Sequence, residues 1–97
     1  MKILCVCQRG NVRASGLAYI LKDRDGHDAL ACGWETNFGE TLEMLCEWAD
    51  KIIVLESYFK NKIPIKNQGK VEIFDVGIDR WGTPTHPELL QILQNYR

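Results

Sequence analysis

The run KILCVC, Lys2 to Cys7, is apolar with almost no polar alternation, which predicts a strand buried on both faces. From Val12 the period changes. Ala14, Leu17, Ala18 and Leu21 fall at helical spacing and predict a helix that stops near Arg24, with Gly26 taking the left-handed C-terminal position. DALACG, Asp28 to Gly33, reads as a second short strand. Asn37 followed by Glu40 resembles an N-capping pair for a second helix, whose buried side would carry Phe38, Leu42, Leu45 and Ala49. KIIVL, Lys51 to Leu55, is the clearest strand, and KVEIF, Lys70 to Phe74, is a fourth. Between them a short helical or irregular turn over 56–61 is ended by Pro64. Asp75 to Thr85 reads as loop, broken by Gly77, Gly82 and Pro84; Thr85 with Glu88 then predicts a capping box for a last helix that buries Leu89, Ile92, Leu93 and Tyr96.

Strands and helices alternate along the whole chain. This predicts an α/β fold in one domain, residues 1–97: a small open four-stranded parallel sheet, strand order 2-1-3-4, with helices on both faces. Ligands of such sheets sit beyond the carboxyl ends of the strands. Cys7 lies at such an end.

Composition narrows the function. An apolar content of 45% in 97 residues supports a single core, and a net charge of -1 carries no basic footprint for nucleic acid. The opening apolar run is too short for a secretory signal, and no stretch reaches membrane-spanning length, so a cytoplasmic location and no membrane partner are expected. Cys5, Cys7, Cys32 and Cys46 are then read as reduced thiols. No spaced Cys or His pair suggests a metal, and no cofactor is expected.

The chemistry concentrates in CQRGNVRAS, Cys7 to Ser15, where strand passes into helix. Backbone N–H groups of such a loop converge on one point, and the helix start adds partial positive charge. Gly10 can take a positive φ, and Asn11 tolerates one better than most residues. Arg13 offers a planar fork for two oxygens of a phosphate-like anion, and a cysteine in that positive field is favoured as its thiolate. Five residues separate Cys7 from Arg13, the C-x5-R spacing of cysteine-dependent phosphatases; the lysine and following Ser or Thr of a nucleotide-binding loop are absent. Gln8, Arg9, Gly10, Asn11, Val12, Ala14 and Ser15 would complete the substrate loop around Cys7 and Arg13, and Trp34, just past the second strand, would line its mouth.

With these residues in place, the chain resembles the low-molecular-weight protein tyrosine phosphatase family, as a short, divergent member. VCQRGNVRAS is similar to the family's V-C-x-G-N-x-C-R-S motif, while ACGWET and WADKIIVLES resemble its second strand and its passage into a Glu-Ser turn. The family's late Asp-Pro-Tyr segment finds its nearest match in Asp79-Arg80-Trp81. The resemblance implies a metal-independent phosphomonoester hydrolase, protein tyrosine phosphatase among its activities, with Cys7 as nucleophile, Arg13 on the phosphate and Asp79 as general acid. Trp81 would flank the substrate, and Asp75 is the alternative acid. A phosphorylated protein or small phosphomonoester is the expected partner. Two positions depart from the motif: Gly-Asn sits one place later, and Ala14 replaces a hydroxyl residue that aids thiolate departure, with Ser15 displaced by one. A phospho-ligand binding module without turnover, or an arsenate reductase using Cys32 or Cys46, are the alternatives on this scaffold.

Overall fold

The N-terminal apolar run becomes β1 (Lys2–Cys7), buried along five of its six residues, in a computed structural model that describes residues 1–96. β1 pairs in parallel with β2 (Asp28–Gly33) on one side and β3 (Lys51–Val54) on the other, and β4 (Val71–Ile73) extends the sheet beyond β3. The strand order is therefore 2-1-3-4, as the alternation predicts. Val6 stands opposite both Cys32 and Val54, and Cys7 ends against Gly33.

Three helices complete the fold: α1 (Arg13–Asp25), α2 (Glu40–Trp48) and α3 (Pro87–Leu93). The step from β1 to β2 and the step from β2 to β3 cross the sheet in opposite directions. Right-handed crossovers therefore place α1 and α2 on opposite faces. α3 packs against α1, and two 3-10 helices, Ser57–Lys62 and Ile65–Lys70, carry β3 to β4. Leu4, Leu17, Leu21, Ile52, Ile53, Phe59, Leu89 and Leu93 are fully buried and form the centre of the core. Gly26 ends α1 at φ 70°, as expected. Among the described residues, no helix is long and apolar enough to cross a membrane.

Three local expectations fail, each for a physical reason. The Asn37 side chain does not cap α2: its Oδ1 accepts from the Gly33 N–H at 2.9 Å and so ties off β2, while Gly39 occupies the cap. Phe38 then falls before the helix and is 83% exposed instead of buried. The cap of α3 is His86, whose Nδ1 accepts from the Glu88 N–H at 3.1 Å, because Pro87 takes the first helical position and moves the start past Thr85. The second 3-10 helix, over IKNQGK, has no apolar periodicity and so leaves no mark on the hydrophobic pattern.

Candidate active site

The loop after β1 is built mainly from backbone. Cys7 is buried, and its Sγ accepts from the Gly10 N–H at 3.1 Å. Gly10 holds φ 80°, and a Cβ there would meet the carbonyl carbon of Cys32 at 2.7 Å. From the other side, a Cβ on Gly33 would meet the Arg9 carbonyl carbon at 2.3 Å. Residues 8–10 therefore lie flat on the end of β2, where the Trp34 and Glu35 N–H groups each donate at 3.0 Å, to the carbonyls of Cys7 and Gln8. The Ser15 hydroxyl donates to the Gly10 carbonyl at 2.5 Å and closes the turn. α1 starts with no side-chain cap at Val12, so its first N–H groups are left for an acceptor from outside, as in anion sites at helix starts.

Arg13 is the first residue of α1 and is only 3% exposed. Such burial requires a counter-charge. Glu56, just past β3, accepts from its Nη1 as an ion pair, and the Gly77 carbonyl accepts from the same nitrogen at 2.7 Å. The Phe59 ring lies 5.3 Å from the guanidinium carbon. Nε is buried without a protein partner, which is what a donor awaiting a ligand oxygen looks like.

Cys7, Gln8, Arg9, Asn11, Val12, Arg13, Asp79 and Gly82 line one cleft of about 440 Å³. Asp79 comes from the loop after β4, and its Oδ1 accepts from the Trp81 N–H at 3.1 Å. Asp75 is occupied elsewhere. Its Oδ2 accepts from the hydroxyl and N–H of Ser57 at 2.7 and 2.9 Å, and its Oδ1 accepts from the Gly77 N–H at 2.9 Å. The Ser57 hydroxyl and these N–H groups hold its carboxyl below the usual range. Ala14 is fully buried behind the loop, and the Ser15 hydroxyl is committed to Gly10.

The two tryptophans expected at the site, Trp34 and Trp81, differ from expectation. Trp81 is 6% exposed, its Nε1 donates to Glu88 at 3.2 Å, and it lies outside the cleft lining. Trp34 packs on Tyr58 and Phe59, with the Lys62 ammonium 4.6 Å from its ring, and is also outside the lining. Asn11 lines the cleft with an ordinary negative φ, so Gly10 alone makes the turn. Gly33, Glu56 and the Gly77 carbonyl were missed as site residues. Glu56 follows the apolar run KIIVL, but its pairing with Arg13, 43 positions away, shows only in the fold. All four cysteines are free; burial pushes Cys32 up to about 12 and Cys46 up to about 11.

Neither the models of known protein families nor the curated proteins match this chain. Two solved structures do match its fold. One is Wzb of Vibrio vulnificus, solved with benzylphosphonate: TM-score 0.72, 18% identity, 96% of this chain and 89% of that one covered. The other is the YwlE arginine phosphatase of Geobacillus stearothermophilus: TM-score 0.72, 16% identity, 96% and 88% covered. The likeness runs through nearly the whole chain, and the architecture implied by the low-molecular-weight phosphatase resemblance is the one observed.

Proposed function

We propose that this protein is a cysteine-dependent phosphomonoester hydrolase working through a cysteinyl-phosphate intermediate. The observation that carries this reading is the meeting of Cys7 and Arg13, at the two ends of the loop after β1, with Asp79, from the loop after β4, in one cleft. The Cys7 thiolate attacks phosphorus in line, and the bond to the leaving oxygen breaks. Loop N–H groups and Arg13 Nε stabilise the equatorial oxygens, which is why no metal is needed. Asp79 gives its proton to the leaving oxygen; as carboxylate it then takes a proton from the water that attacks phosphorus. The P–S bond breaks, releasing inorganic phosphate and the thiolate.

The fold neighbours support phosphoryl chemistry: one is solved in complex with benzylphosphonate and the other is a phosphatase by name. The substrate is a phosphorylated protein, phosphotyrosine included, or a small phosphomonoester. Four unpaired thiols suit the reducing cytoplasm.

One observation favours a second reading, a phosphate-binding module with little turnover. Ala14 has no hydroxyl, and that of Ser15 is bonded to Gly10, so neither is offered to the departing thiolate. An arsenate relay has no specific observation in its favour, since Cys32 and Cys46 lie outside the cleft lining.

The test is hydrolysis of a small aryl phosphate by wild type, Cys7→Ser, Arg13→Ala and Asp79→Asn. Cys7→Ser and Arg13→Ala should each lose roughly a thousandfold or more in turnover. Asp79→Asn should lose most with a poor leaving group. Turnover surviving in Cys7→Ser would sink the nucleophile assignment. Phosphate binding without hydrolysis between about pH 4 and about pH 8 selects the binding module.

A further inference from the structure

Resting on that reading, we infer that the substrate is a phosphomonoester bearing a second anionic group, a carboxylate or another phosphate, and that Arg9 recognises this group at the cleft mouth. Of the described arginines, Arg13, Arg24 and Arg80 each hold a carboxylate, whereas Arg9 holds none. Yet Arg9 is an exposed cleft-lining residue two places after the proposed nucleophile. Its backbone is pressed against Gly33, so the side chain projects from a fixed anchor. The nearby acid that could have paired with it, Glu35, instead accepts from the Gln8 side-chain amide at 2.5 Å.

The rest of the lining agrees. Gln8, Asn11 and Asp79 are polar, Val12 is the one aliphatic side chain beside them, and none of the lining side chains is a ring. Trp81 and Trp34, the aromatics expected there, are packed elsewhere. A leaving group finds no aromatic ring in the lining to stack on and several hydrogen-bonding partners. Charge completes the case. Arg13 is balanced by Glu56, so among the cleft-lining cations Arg9 is the one without an ion-pair partner in the described residues. A second anion on the substrate would be held by the planar fork of Arg9, which suits either carboxylate or phosphate.

The experiment uses three para-substituted benzylphosphonates that cannot be hydrolysed, carrying 2-hydroxyethyl, carboxymethyl or phosphonomethyl groups. Each is titrated calorimetrically into wild type, Arg9→Ala and Arg9→Lys, and the matched aryl phosphates are assayed for turnover. Wild type should bind the two anionic probes about five- to tenfold more tightly than the neutral one, with the preference shrinking near 0.5 M salt. The ratio should fall to about one in Arg9→Ala and survive in part in Arg9→Lys. The carboxymethyl and phosphonomethyl arms rank the two kinds of second anion, and a preference for either supports the proposal. Equal wild-type affinities, or a preference that persists in Arg9→Ala, overturn it while hydrolysis of the aryl phosphates stands. Preferential binding without turnover of any matched ester keeps the Arg9 assignment and removes the hydrolase reading. No binding of any probe overturns both.

Discussion

Two loops form the walls of the cleft, and they are held in different ways. The loop after β1 is fixed by contact: Gly10 and Gly33 interlock so closely that neither has room for a methyl group. The loop after β4 is fixed by hydrogen bonds to carboxylates. Asp75 gathers Ser57 and Gly77, Asp79 gathers the Trp81 N–H, and Glu88 holds the Trp81 indole. A Cβ on Gly77 or Gly82 would meet nothing within 4 Å. Packing is nearly indifferent to pH and intolerant of volume, while carboxylate hydrogen bonds are the reverse. The anion cradle is therefore rigid, and the wall that carries the proposed acid is titratable. Arg13 joins the two, since it starts the helix after the first loop and donates to the Gly77 carbonyl of the second.

That contrast can be broken most directly with glycine substitutions. Gly10→Ala combines a positive φ with an overlap against backbone and should cost about 3 kcal/mol in denaturant unfolding. Gly77→Ala, with a similar φ but open space, should cost only about 1 kcal/mol. Equal losses would mean that the first loop is not held by close contact. Next in size is Glu56→Gln, which leaves the Arg13 charge buried without its counter-ion. It should cost about 2–3 kcal/mol and weaken vanadate binding, measured by unfolding and by inhibition titration.

Asp75→Asn should cost about 1 kcal/mol. It also carries a pH signature. The folded carboxyl of Asp75 is depressed, chiefly by the Ser57 hydroxyl, so its contribution is present above the unfolded value of about 3.9 and is lost as pH falls through the folded one. Stability of the variant should therefore decline less steeply on acidification than that of wild type. A parallel acid limb in both proteins would remove Asp75 as the titrating anchor. Smallest of all, Phe38→Ser, on a side chain that is 83% exposed, should change the unfolding free energy by no more than about 0.5 kcal/mol. A large loss there would mean that the Phe38 ring is buried in solution.

Legibility followed the range of the interactions. β1 begins and ends where its apolar run does, because a strand buried on both faces leaves its mark on every consecutive residue. The Cys7–Arg13 loop was equally readable, since its turn, its thiol and the start of α1 lie within a few residues of one another. Capping was less so. Asn37 and Thr85 both fit a capping pattern, yet Asn37 found a donor in β2, and Pro87 moved the other cap to His86. The side chains of Trp34 and Trp81 were the hardest to place. Each can pack or face solvent, and only the neighbouring Phe59 and Glu88 decide.

What this chain determines by itself is the alternation of elements, hence the parallel sheet, and a cysteine–arginine loop at the end of its first strand. These follow from periodicity and short-range spacing, which need no partner from elsewhere. The tertiary structure alone decided that Glu56 neutralises Arg13, that Gly77 anchors to it, and that Asp79 rather than Asp75 reaches the cleft. Those contacts join residues 43 and 64 positions apart, and what selects them is the burial of a charge that must be matched by whichever groups the folded chain brings to it.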